Sequence, residues 1–148
     1  MSTSIHKATI DGLDAIAAIF NAYRVFYEAP SNIEQSKTFI MDRLSNNDSI
    51  IFCAFSEQKT VTGFTQLYPS YSSVSMRKIW ILNDLFVQPD FRNRGIGRAL
   101  IAKAIEFAKL DGAVRLSLST AKNNPAQFLY EKTGFRESSF KFYNFSLT

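Results

Sequence analysis

The stretch Arg92-Asn93-Arg94-Gly95-Ile96-Gly97-Arg98 combines bare backbone with positive charge. Gly95 and Gly97 carry no side chain where a main-chain N–H must approach an oxygen closely, and Arg92, Arg94 and Arg98 can add charge-assisted hydrogen bonds. With a helix beginning at Gly95, unpaired N–H groups and the positive end of the helix dipole favour an anion at the same place. The chemistry such a loop serves is the holding of a diphosphate. Two other phosphate loops do not fit. A P-loop needs Lys-Ser/Thr after its last glycine, where Arg98 and Ala99 stand, and a dinucleotide fingerprint needs a third glycine where Leu100 stands. Taken alone, the stretch also reads as a glycine-bearing helix cap with solvated arginines.

Asp84 is the second residue with chemical promise, because it interrupts the apolar run over residues 79–87. Burial disfavours a charged carboxylate and raises its pKa, which would make Asp84 a usable proton acceptor. Side-chain alternation could instead turn it into a structural hydrogen-bond network with Asn83. Cys53, flanked by Phe52 and Ala54, reads as packing, and His6 has no partner in view, so neither is assigned a catalytic role.

The elements that must position these residues follow from periodicity and punctuation. A strand over 5–8 precedes an amphipathic helix starting near Asp11, in which Leu13, Ile16, Phe20, Tyr23 and Tyr27 recur at helical spacing until Pro30. Ser31 and Glu34 have the form of a capping box for a second helix running to Leu44. Strands over 50–55 and 61–68, joined by Glu57-Gln58-Lys59, form an antiparallel hairpin, with Gly63 at a bulge position. The serine-rich residues 69–75 read as loop and 79–87 as strand. A helix over 95–110 stops at Gly112, a strand covers 114–118, a short helix runs from Pro125 through Lys132 to a stop at Gly134, and 135–147 is strand-like. The order β-α-α-β-β-β-α-β-α-β describes a mixed α/β fold with helices packed on a mixed sheet.

Composition narrows the function. A chain of 148 residues with 46% hydrophobic content is expected to form one domain, residues 1–148. The net charge of +4 is spread along the chain, which points to a local phosphate site and away from nucleic acid. One cysteine and one histidine leave no material for a disulfide, a Cys/His zinc site or a Ser-His or Cys-His triad, and no metal is expected. Residues 1–7 lack a leader layout and no window is long and apolar enough to span a membrane, so a soluble cytoplasmic protein with no membrane partner is expected. Phe140, Phe142, Tyr143, Phe145 and Leu147 crowd the last expected strand, which either closes the core or, as expected here, forms part of a homodimer contact.

Arg92-x-x-Gly95-x-Gly97 after a strand resembles the acetyl-CoA signature of the GNAT acetyltransferase superfamily. The later stretch Asn123-Asn124-Pro125-Ala126-Gln127-Phe128-Leu129-Tyr130-Glu131-Lys132-Thr133-Gly134-Phe135 is similar to a second motif of that family, and the run from Ile79 to Val87 resembles its small fungal histone and polyamine acetyltransferases. The resemblance implies the GNAT fold, a mixed and mostly antiparallel sheet of about six to seven strands with about four helices. It implies acetyl-CoA as cosubstrate and an amine as acceptor. Arg92 through Arg98 would hold the diphosphate, and the backbone of Leu85, Phe86 and Val87 would pair with the pantetheine arm, their side chains being core. Asn123 would bind the same arm, although an Asn before Pro125 also reads as a helix cap. Tyr130 would protonate the departing thiolate, or be a core tyrosine. Tyr27, Glu28 and Asn83 would border the acceptor, Glu28 holding a cation by charge and Tyr27 stacking on it, unless Glu28 is merely solvated. The rival class is a CoA-binding regulatory module or a basic aromatic nucleic-acid binder.

Overall fold

The computed structural model describes residues 2–148. β1 (Ser4–Lys7) leads through a short 3-10 turn, Ile10–Gly12, into α1 (Leu13–Phe26) and α2 (Ile33–Asn46). The chain then forms β2 (Ile50–Phe55), β3 (Val61–Ser72) and β4 (Arg77–Val87), turns at Pro89–Phe91, and enters α3 (Ile96–Leu110). β5 (Leu116–Ser117) and α4 (Ala126–Lys132) follow. The strands form one five-stranded sheet in the order β1-β2-β3-β4-β5, antiparallel except for the parallel pair β4-β5.

Alternation along the central strands sends neighbouring side chains to opposite faces, and each face is covered by helices. Ile51, Cys53, Phe64 and Phe86 meet Ile16, Ile19 and Phe20 of α1 and Ile40 of α2. Phe52, Leu67, Trp80 and Leu82 meet Leu100, Ile101 and Ala104 of α3 and Tyr130 of α4. Gly63 permits that approach, because an added Cβ would lie 2.9 Å from the Phe86 carbonyl oxygen and 3.2 Å from Leu100 Cδ1. The expected bulge is beside it: Ala54 pairs with Gly63 and Phe55 with Val61, so Thr62 is the extra residue.

The helices lie where periodicity placed them, and Gly112 (φ 78°) and Gly134 (φ 109°) adopt the left-handed stops expected of them. The second helix is capped one residue later than expected. Asn32 Oδ1 accepts from Gln35 N at 3.0 Å, while Ser31 Oγ is taken by Asn21 Nδ2. The serine-rich residues 69–75 are mostly strand, since Pro69 pairs with Trp80 and Ser72 with Arg77. Pro69 is tolerated because β2 ends its pairing at Leu67, so that side of β3 has no neighbour needing a donor.

The last two expected strands differ from what the sequence suggests. The fifth strand pairs only at Leu116 and Ser117, shorter than 114–118. Residues 135–147 form no strand: no neighbouring edge receives them, and Phe140 through Leu147 are exposed. The sheet therefore has five strands. No helix of the described residues is long and apolar enough to cross a membrane.

Candidate active site

The site begins where β4 parts from β5. The parallel ladder holds only Trp80 with Leu116 and Ile81 with Ser117. Two residues later the antiparallel ladder to β3 slips, pairing Leu82 with Leu67 and Asp84 with Gln66, so Asn83 is bulged out. A bulge re-aims the strand, and here it coincides with the loss of the β5 neighbour. From Asn83 to Val87, β4 keeps β3 on one side and has no strand on the other. The side chain of Phe86 is buried and those of Leu85 and Val87 are packed into the core, so these residues have backbone to offer a ligand.

The strand runs directly into the glycine loop. Arg92 Nε donates to the Val87 carbonyl at 2.8 Å, and its guanidinium lies over the rings of Phe26 at 4.8 Å and Phe86 at 5.5 Å. Arg92 thus fixes the loop against strand and α1 as well as contributing charge. Arg94 lies over Phe91, and Asn93, Arg94 and Arg98 are exposed. Asn93 (φ 63°) and Gly95 (φ 81°) take left-handed backbone, and Gly95 opens α3 with no side-chain cap. Ala99 N is the first in the helix to find a carbonyl, that of Gly95 at 3.0 Å. Among the described residues, the N–H groups from Asn93 to Arg98 have no acceptor. Nothing lies within 4 Å of the position a Cβ on Gly95 would take. Free donors, open space and exposed arginines are the features a diphosphate needs.

A buried polar cluster lies at the divergence. Asp84 is 3% exposed; its Oδ2 accepts from Gln66 Nε2 at 2.6 Å and its Oδ1 from Asn83 Nδ2 at 2.9 Å. Gln66 is itself oriented by Ser49, whose hydroxyl donates to Oε1 at 3.0 Å. Burial raises the Asp84 pKa above the ordinary carboxylate range, against the opposing pull of Gln66, Asn83 and the Tyr23 hydroxyl directed at it. Tyr23 is shifted far upward, first by burial and then by the Asp84 charge. Asp84 is therefore in the hydrogen-bond network with Asn83 and at the same time shifted upward by burial.

Tyr130, on α4, is buried, with its ring edge-on to Phe135 at 6.0 Å. Burial, with a smaller contribution from Tyr27, pushes its phenol up to about 12. Tyr27 joins the halves of the site: its hydroxyl accepts from Asn124 Nδ2 at 3.3 Å and its ring meets Tyr23 at 5.1 Å. Tyr23 lies within electrostatic reach of Asp84, Tyr27 and Tyr130 together. Asn124 Oδ1 accepts from Ala126 N at 2.9 Å just before α4, while Asn123 is exposed and makes no hydrogen bond among the described residues. Glu28 (φ 68°) sits exposed just past α1 with no ion pair among the described residues. Cys53 is buried elsewhere, its thiol pushed up to about 12, which removes the thiolate a covalent carrier would need.

Tyr23, Gln66, Ser49 and Asn124 complete the cluster without having been singled out by the sequence. The i, i+4 spacing of Tyr23 and Tyr27 on α1 was the available signal for the first. A glutamine inside an apolar strand was the signal for the second.

The chain matches the family model described as Acetyltransferase (GNAT) family over residues 16–135. It is 43% identical over 137 residues to the uncharacterized N-acetyltransferase YhfO of Bacillus subtilis (strain 168), covering 92% of this chain and 91% of that one. It is 31% identical over 132 residues to a probable acetyltransferase of Haemophilus influenzae, covering 89% of each. The crystal structure of a probable acetyltransferase superposes with a TM-score of 0.93 at 38% identity, over 98% of both chains. An aminoglycoside N-acetyltransferase in complex with CoA shares the fold, with a TM-score of 0.83 at 17% identity over 99% of this chain and 96% of that one. The glycine loop at the start of α3, the parted strands and these matches agree: the chain is an acyltransferase of the GNAT acetyltransferase family.

Proposed function

We propose that this protein transfers an acetyl group from acetyl-CoA to a primary amine, with both substrates bound together. The observation that carries the reading is a buried carboxylate of raised pKa, Asp84, at the point where β4 loses its β5 neighbour, with Tyr23 between it and the buried phenol of Tyr130. The family uses acetyl-CoA, which supplies an acetyl group already activated as a thioester. Arg92 through Arg98 hold its diphosphate with backbone N–H groups and guanidinium charge. The open backbone of Leu85, Phe86 and Val87 takes the pantetheine arm, and the free amide of Asn123 takes the same arm from the loop that precedes α4.

An alkyl amine with a pKa near that of lysine, about 10.4, is protonated at neutral pH and must lose that proton before its nitrogen can attack. Asp84 takes it, its raised pKa narrowing the gap between amine and base. Tyr23 lies against Asp84 and keeps it in place from α1. Backbone donors of the open strand steady the carbonyl oxygen as charge collects there. Tyr130 gives its proton to the departing sulfur; a phenol donates usefully to a thiolate even where transfer is incomplete. Exposed Tyr27 and Glu28 at the end of α1, with Asn83 at the bulge, border the acceptor and favour a small cationic amine over other amines.

The test is a panel of polyamines, small amines, amino acids and lysine peptides offered with acetyl-CoA while free thiol is followed. Amine-dependent thiol release, strongest with cationic small amines, supports the reading. Thermal stabilisation by CoA with no release from any amine would favour a CoA-binding module.

A further inference from the structure

The face of the sheet that carries Asp84 continues past it toward the β3-β4 turn. Gln66, bonded to Asp84, and Tyr68 are two residues apart on β3 and so point to the same face. β2 ends its pairing with β3 at Leu67, and the chain approaching β2 borders this spot. Ser49 there donates to Gln66 at 3.0 Å, and Asp48 precedes it in the chain. Asp48 in turn draws in Arg43 of α2, whose Nε lies 3.1 Å from Asp48 Oδ1. A run of short contacts therefore brings a guanidinium to the same polar end of the sheet as Asp84.

Arg43 is held in place but not satisfied. Its guanidinium lies 4.8 Å from the centre of the Phe39 ring, one turn earlier on α2. Its side chain is 24% exposed, and Nε, although beside Asp48, is buried and makes no hydrogen bond. Among the described residues Nη1 and Nη2 are bonded to nothing and, unlike Nε, are not buried. Asp48 is 45% exposed and meets Arg43 through one oxygen, so water screens the pair and leaves positive charge to be used. The two Nη groups are the fork that a carboxylate takes bidentately. Tyr68 joins this group to the base. Its half-buried phenol is pushed up to about 12, by burial first and then by the Asp84 charge, against the pull of Arg43. It stays a neutral donor within electrostatic reach of both.

We propose that the acceptor is an amino acid, its carboxylate held by the Nη pair of Arg43 while its amine faces Asp84. This rests on the reading of Asp84 as the base and adds a second point of attachment for the acceptor. A basic amino acid fits best, because two amines and one carboxylate keep the net positive charge that Tyr27 and Glu28 favour. A simple diamine leaves Arg43 without a partner and brings a second ammonium toward it, which like charge opposes.

Lysine and 1,5-diaminopentane share the same carbon chain and amines and differ only in the carboxylate, which makes them the test pair. Each is titrated into the CoA-bound protein by calorimetry, and each is offered with acetyl-CoA while free thiol is followed. Lysine should bind about 10–100-fold more tightly than the diamine, with kcat/KM in the same ratio. Arg43→Gln should bring the two ligands to near equality, and Arg43→Lys, which keeps the charge without the fork, should retain part of the preference. Equal binding of the two by wild type, a lysine preference that survives Arg43→Gln, or a variant that weakens both ligands alike would each overturn the proposal. A lysine preference that depends on Arg43, with no thiol release from either ligand, would support the carboxylate site and sink the transfer reading instead.

Discussion

Gln66 donates to Asp84 across the β3-β4 ladder at 2.6 Å, with both side chains buried. The contact joins what folds the sheet to what its open end can do. Ser49 occupies the carbonyl end of the amide, so the donor end is committed to the carboxylate. Replacing Gln66 by Met removes a bond that favours the charged carboxylate and orphans the Ser49 hydroxyl. Stability should fall by about 1–3 kcal/mol, and the acidic limb of kcat/KM should move to higher pH. Thermal melting and a pH-rate profile check both.

Tyr130→Phe removes the proton offered to the departing sulfur while keeping the ring that packs on Phe135. The expected loss in kcat is about 10²–10⁴-fold, with the thermal shift given by CoA preserved. Because the phenol is pushed up to about 12, its deprotonation should impose no alkaline limb on the wild-type profile below pH values near that figure. Steady-state rates alongside CoA-dependent melting separate this role from packing.

Gly95 and Gly97 should respond differently to alanine. Gly95 has φ 81°, where a Cβ is strained at a cost of about 1–2 kcal/mol. At Gly97 the new carbon would meet Leu129 Cδ2 at 3.4 Å and Val87 Cγ2 at 3.8 Å, ordinary contacts. Gly95→Ala should therefore lower both stability and CoA affinity, and Gly97→Ala should leave stability within about 0.5 kcal/mol. Denaturant melts and CoA titration read the two effects.

Much of this arrangement was legible along the chain because its causes are local. The apolar stripe of α3 and the glycines at 112 and 134 mark helix bounds by rules that act over a few residues. The loop of Arg92 to Arg98 was readable for the same reason, since a helix start and its bare backbone are adjacent in sequence. The Asp84 network was only half readable. Asn83 is next to it, whereas Gln66 and Ser49 are 18 and 17 residues from their partners and meet them through strand register alone. Tyr23 reaches Asp84 only because α1 packs on that face of the sheet. The tail misled because alternating apolar residues mark strand propensity without saying which edge will take the strand.

Asp84 as the base is tested most directly by the pH dependence of kcat/KM for wild type and Asp84→Asn with the best amine from the panel. The wild-type rate should rise with pH through an acidic limb above the usual carboxylate range, because the base must be unprotonated. In the variant that limb should vanish and the rate should fall by about 10²–10⁴-fold. A variant that keeps the wild-type rate and the same limb would contradict Asp84 as the base.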